Sequence, residues 1–520
     1  MLQAVRIAAL ALSLSCACGS PPAPPAEPEP PRAVEGVLRF EARTITPAGL
    51  SQELVERPAR FLRVALVDGG GEVRAEGRTD EAGRFVFPEA PPEPLALRVT
   101  AIAEADGYRA ETTTDRLGQS PHRFDLPLEG PGPHTAVARE AGLEGHAGAL
   151  HIADTLLAGL RAVGTWVERP LPPIFAYWGR GVTTRWSFYS GEVPEGSGRF
   201  GLELLGGPAG QQATADTDEH DEGIVMHELF HFVTDRLSTN SSAGGRHPPG
   251  HLVEPGLAWE EGRVTFLAMA ALGDPLYRDS IGIAPQGHLR VDADLETPPA
   301  GALRGLYAER SVSRILWDLA DGTDPRLVDR DRDGIALGVP LLLEAMIAQR
   351  QVTGAYPCLA SFLRFLVERG DVSDADLRAM LRATGEPPSL LDAVWPRPLV
   401  VGASTRDTID GVTQPAPRGG PNLPTGPTAI HTYLLEVEAI GVLDLSLHIE
   451  GSGRAADRQD LDLELRDLRG DALQRAATEA RVERLRHVVA PGRYVVRVVD
   501  GGAGNRAAYE VRSALEAAAR

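Results

Sequence analysis

Residues 221–236 read Asp221-Glu222-Gly223-Ile224-Val225-Met226-His227-Glu228-Leu229-Phe230-His231-Phe232-Val233-Thr234-Asp235-Arg236. Ile224, Val225, Leu229, Phe232 and Val233 recur at helical spacing, which predicts one helix with an apolar face. Asp218 or Asp221 stands where a carboxylate can cap its first turn. His227 and His231 are four apart, so both imidazoles leave one side of that helix, a turn apart. This spacing offers a tetrahedral zinc ion two ring nitrogens at about 2.0–2.1 Å. Glu228 lies beside the first histidine, near such a metal without ligating it, where a carboxylate can take a proton from an activated water. The plainer alternative is two satisfied histidines on an amphipathic helix.

A catalytic zinc needs a third protein ligand and an open position. Downstream, Leu257 to Ala271 has the apolar spacing of a second helix, with Glu260 and Glu261 near its start. His227-Glu228-Leu229-Phe230-His231 followed by Trp259-Glu260-Glu261-Gly262 resembles the gluzincin metallopeptidases, the group that holds thermolysin, the fungalysins and the zinc aminopeptidases. The resemblance implies an α+β metallopeptidase core, hydrolysis of a protein or peptide substrate with Glu228 as general base, and Glu261, the glutamate before glycine, as the third ligand. Glu260 points about 100° away around the helix, which leaves it solvated or in contact with substrate. Asp216-Thr217-Asp218-Glu219-His220-Asp221 and Ser313-Arg314-Ile315-Leu316-Trp317-Asp318-Leu319 extend the likeness toward fungalysin-like sequences of bacterial lipoproteins, over roughly 147–345. Two positions depart from it. Leu229-Phe230 fills the motif where many relatives carry a small residue, and Thr265 stands where thermolysin-like chains place an Asp that orients a zinc histidine. On that comparison the imidazoles must be oriented from elsewhere.

The intervening segment, 238–255, is a Gly, Pro and Ser-rich loop with His247 and His251, open to reading as loop residues, substrate contacts or alternative ligands. Oxyanion stabilisation needs a donor, and Tyr307, before the predicted 311–320 helix, is the candidate; a packed aromatic is its competitor. Phe200 to Leu205 is a candidate edge strand for pairing an extended peptide.

The chain's 520 residues exceed one ordinary domain. Its net charge of -20 argues against nucleic-acid binding, and every basic residue is Arg. Arg6, the apolar run Ile7–Leu14 and Leu14-Ser15-Cys16-Ala17-Cys18-Gly19 resemble an export signal with a bacterial lipobox. Cys18 is the preferred lipidation site and Cys16 its alternative, with ordinary signal cleavage as the competing reading. The implied location is the bacterial cell envelope, with a lipid anchor in the membrane. The remaining cysteine, Cys358, leaves no intramolecular disulfide framework.

The expected organisation is a signal at 1–17, a Pro-rich tether at 18–33, a β-sandwich at 34–128, the metallopeptidase unit at 129–400, a linker at 401–428 and a second β-sandwich at 429–520. Thr79-Asp80-Glu81-Ala82-Gly83-Arg84-Phe85 resembles transthyretin-like, carboxypeptidase-regulatory sandwiches. Ala490-Pro491-Gly492-Arg493-Tyr494 resembles the pre-peptidase C-terminal sandwiches of secreted bacterial proteases. Asp329-Arg330-Asp331-Arg332-Asp333-Gly334 opens like a calcium loop, but position twelve is Pro340 rather than Glu, which favours an Arg-paired turn over Ca2+. A reading from another class is a surface-anchored binding or adhesion lipoprotein with an inactive peptidase-like domain. An aminopeptidase would anchor a free N-terminus on Glu254 or Glu260.

Overall fold

The computed structural model describes residues 32–517 apart from 91–94, 131, 142–144, 185, 241, 243–246, 248–249, 328, 331–333, 351–355, 411–429, 452–458, 469–470 and 502–505. The signal, Cys16, Cys18, most of the tether and the 411–428 part of the expected linker lie outside the described residues. So do Asp331 and Asp333 of the calcium-like loop.

Among the described residues the chain is multidomain, with five β-sheets and seven α-helices. The helices are α1 (His146–Trp166), α2 (Glu222–Leu237), α3 (Pro255–Leu272), α4 (Glu309–Ala320), α5 (Val339–Gln349), α6 (Leu359–Arg369) and α7 (Asp374–Ala383). Each falls where apolar residues repeat at helical spacing.

The expected boundary at 128/129 falls inside one eight-stranded sheet. Its order runs Phe188–Tyr189, Phe200–Glu203, Ile174–Tyr177, Tyr108–Thr113, Leu95–Ala105, Leu62–Asp68, Val73–Arg78, with Arg123–Leu128 also on Leu95–Ala105. Ile174–Tyr177 pairs in parallel with Tyr108–Thr113, and the crossover between them contains α1, as a parallel pair requires. His134–Ala138 pairs with Arg32–Thr46 in a second sheet. One hydrophobic core therefore spans the N-terminal strands and the helices.

α1 packs on that sheet and α2 packs on α1. Gly159 permits the close approach, since a Cβ there would collide with Leu229 and with Met226 Sδ at 2.7 Å. α3 packs on α2, and α4 on α3.

The C-terminal unit is two antiparallel-rich sheets with their own core. Gly441–Ile449 alternates buried and half-buried residues along its length, the signature of a sheet with one inner face. Arg397–Leu399 and Ser404–Asp410 belong to these sheets, on Ile430–Val437 and Arg506–Ala517 respectively. Residues 404–410 were expected in the linker and are a strand instead; Ile409 is buried in the sandwich core, but its polar flanks disguise it. The sandwich seats on the helical body. Thr432 Oγ1 donates to Glu254 Oε1 at 2.9 Å, and Arg497 Nη2 donates to the Tyr356 hydroxyl at 2.6 Å. Glu254 is the N-cap of α3, accepting from Leu257 N at 3.0 Å. No helix among the described residues is long and apolar enough to cross a membrane.

Candidate metal centre

α2 and α3 lie against one another and bring three side chains to one point. His227 Nε2 and His231 Nε2 are 3.1 Å apart. Glu261 Oε2 lies 3.2 Å from the first and 3.3 Å from the second. Ligands at about 2.0–2.1 Å in a tetrahedron are about 3.3–3.4 Å from one another, so this triangle is close to the edge length that zinc imposes. Two imidazoles and one carboxylate are also the donor set of catalytic rather than structural zinc. The residues fit the ion that the sequence implies.

The outer nitrogens are held. His231 Nδ1 faces Glu260 Oε1 at 3.4 Å, and an ionised carboxylate only accepts, so the network places the proton on Nδ1 and turns the Nε2 lone pair inward. His227 Nδ1 meets Thr265 Oγ1 at 3.1 Å. Thr265 thus contacts His227 from the position that carries an Asp in thermolysin-like chains. Glu260 is neither solvated nor free for substrate: it is 1% exposed. It also accepts from Thr234 Oγ1 at 2.9 Å and pairs with buried Arg263. The charges at the centre perturb one another. Burial disfavours protonation of His231, yet Glu261 and Glu260 outweigh it and raise its pKa well above the ordinary value. Burial likewise opposes ionisation of Glu261, yet His247 and His231 hold its carboxyl well below the usual range.

Glu228 stands beside this triangle without joining it. Burial pushes its carboxyl up, and His227 and His231 pull it only part of the way back. Its Oε2 accepts from Tyr189 N at 3.0 Å. Tyr189 belongs to Phe188–Tyr189, which is the edge of the large sheet; Phe200–Glu203, expected at that edge, is paired on both sides. Asp221 occupies the N-cap position of α2 but makes no side-chain cap bond. Its carboxylate turns instead to Ser280 N and Oγ.

The loop supplies His247. Its Nε2 lies 3.4 Å from Glu261 Oε1 and its Nδ1 3.1 Å from Glu309 Oε2 on α4. Burial opposes its protonation, but Glu261 and Glu309 prevail and raise its pKa to about 9. His251 is not among the converging groups. Nor is Tyr307, which is 39% exposed and whose ionisable neighbours are Arg397, Glu254 and Cys358. Tyr277, which the sequence did not single out, packs its ring 5.7 Å from that of His227, with Arg310 above it at 4.6 Å. Only its place in a strand of mixed charge marked it, and that is no signal.

Gly262, next to Glu261, lets α3 touch α4. A Cβ there would collide with Val312 and stand 2.6 Å from Glu309 O. Gly262→Ala is expected to lower stability by about 1–3 kcal/mol through overpacking, and to weaken zinc retention as Glu261 and Glu309 are pushed apart. Thermal unfolding and zinc titration check this; native values for both would show slack between the two helices.

Two other clusters read as structural. Glu140, Glu219 and His220 converge, but Arg180 pairs with both glutamates and Arg43 stands 3.6 Å from Glu140. Asp329 converges with Glu296 and Asp321, where Glu296 accepts from Arg330 N and Trp317 Nε1. Cys358 is buried, and burial raises its thiol's pKa.

No family model matches the chain, and no curated protein matches it. Among solved structures, the chain is similar to the pre-peptidase C-terminal domain of collagenase from Bacillus anthracis, at 12% identity, 22% of this chain, 92% of that one and a TM-score of 0.17. It is also similar to the Yersinia pseudotuberculosis-derived mitogen, at 13% identity, 23% of this chain, 88% of that one and a TM-score of 0.16. Scores of this size carry no argument about the chain.

Proposed function

We propose that the chain is a zinc-dependent peptidase of gluzincin type. One observation carries this reading: His227 Nε2, His231 Nε2 and Glu261 Oε2 form a triangle of 3.1–3.3 Å edges while Glu228 stays outside it. Bound there, zinc would supply Lewis-acid polarisation of a carbonyl and acidification of water. Glu228 takes the proton of the attacking water and passes it to the leaving amine. The edge at Phe188–Tyr189 lies beside Glu228, where an extended peptide can align. To His247, braced by Glu309 and with Nε2 3.4 Å from Glu261 Oε1, we assign the donor role toward a developing oxyanion for which the sequence offered Tyr307. The exported, lipid-tethered location, through Cys18 or Cys16, belongs to the same proposal and rests on the N-terminal sequence.

The test is metal removal. The purified protein is expected to carry about one zinc and to hydrolyse an unfolded protein such as denatured casein. Stripping with 1,10-phenanthroline should abolish hydrolysis, and one equivalent of zinc should restore it. Bound zinc with no hydrolysis of any unfolded protein or peptide would favour the surface-binding reading instead.

A further inference from the structure

A second concentration of acid lies at the start of α2. Asp216, Asp218 and Asp279 each bring a carboxylate oxygen within 4.8 Å of the other two. Asp216 and Asp218 lie in the segment that leads into α2, and Asp279 is on the strand Leu276–Ile281. Asp216 bridges to that strand at Ile281. Asp218 is 3% exposed and Asp279 9%, while Asp216 is half-buried and gives the cluster an opening toward solvent.

Donors are too few for this charge. Ser187 Oγ donates to Asp218 Oδ2. Arg290 reaches Asp216 Oδ2 at 2.8 Å but only approaches Asp279 Oδ2, at 3.7 Å. Asp279 Oδ1 is fully buried and accepts no hydrogen bond, and the same is true of Asp216 Oδ1. Asp221 next door offers no relief, being another buried carboxylate already occupied with Ser280. A buried carboxylate oxygen without a donor is disfavoured unless a proton or a cation meets it.

We propose that Asp216, Asp218 and Asp279 bind a calcium ion. All three donors are hard carboxylate oxygens with no histidine or thiol among them, which suits calcium and leaves zinc to the histidine site. A divalent ion would add to the positive charge that Arg290 brings to Asp216 and Asp279, and that Arg310 brings to Asp279. Without an ion, the group holds protons: burial and the charge of Asp216 push Asp279 up to about 7. Calcium would tie three pieces together, namely the Ser187 segment beside the sheet edge, the entry to α2, and the strand whose Tyr277 packs on His227. This site does not rest on the peptidase reading.

The experiment uses the full protein, freed of metal, reloaded with one equivalent of zinc and titrated with calcium chloride by calorimetry. About one calcium per chain should bind, and the thermal unfolding midpoint should rise to a plateau. Asp279→Asn should bind calcium at least about tenfold more weakly. In calcium-free buffer the same variant should unfold no earlier than the native chain, because it removes a buried charge without a donor; this separates lost binding from failed folding. Three results would overturn the assignment: no binding up to about 10 mM calcium, well beyond the weakest extracellular modules; undiminished binding by Asp279→Asn; or an equal response to magnesium.

Discussion

Glu228→Gln is expected to hold zinc as the native chain does and to hydrolyse an unfolded protein roughly 10²–10⁴-fold more slowly. The substitution keeps shape and keeps an oxygen for the hydrogen bond from Tyr189 N, so the edge at Phe188–Tyr189 should stay in place. The metal triangle loses nothing, since Glu228 contributes no atom to it. What disappears is a base able to take a proton from water. Zinc content by elemental analysis and initial rates of hydrolysis decide the matter together. A variant that loses zinc would make Glu228 a ligand; one that keeps both zinc and full turnover would remove it from the chemistry.

The helical part of this site was legible because it is local. His227, Glu228 and His231 lie within five residues of one helix, and their relative directions follow from helical geometry alone. Glu261 was legible one step further, through its place before Gly262, and Gly262 has a physical reason to be there in the contact with α4. The rest depends on contacts between segments distant in sequence. His247 meets Glu261 at the centre and Glu309 on α4, and a Gly/Pro-rich loop gives no periodicity from which to foresee that. The continuous sheet is hidden in the same way: Tyr108–Thr113 and Ile174–Tyr177 become neighbours across α1, while each alone reads as an isolated short strand. The hairpin Leu276–Asp294 carries Asp279 and Tyr277, and its charged, weakly alternating sequence disguised a strand whose inner residues are buried.

Glu260 shows where the sequence pointed the wrong way, and it sets the second large expectation. A glutamate in the first turns of a helix usually faces water, and about 100° of rotation from Glu261 leaves Glu260 solvated or in contact with substrate on the sequence alone. α3, however, is buried on nearly all sides from Pro255 to Ala270, so no direction around it leads out. Glu260 therefore meets Arg263, which is itself buried and donates to Ser238 Oγ at 2.9 Å and Thr239 O at 3.1 Å. Glu260→Gln should leave that guanidinium without its counter-charge and lower stability by about 3–5 kcal/mol, the range for breaking a buried pair from one side. Zinc affinity should fall by about 10–100-fold, because His231 Nδ1 loses the carboxylate that orients the ring. Thr265→Val is the comparison. It removes only the contact to His227 Nδ1, so zinc should weaken while stability changes by about 1 kcal/mol. Urea unfolding of the zinc-loaded proteins and competition with a chromophoric chelator read the two effects separately. If Glu260→Gln unfolded within about 0.5 kcal/mol of the native chain and held zinc equally well, the carboxylate would be solvated after all, and the orientation of His231 would need another source.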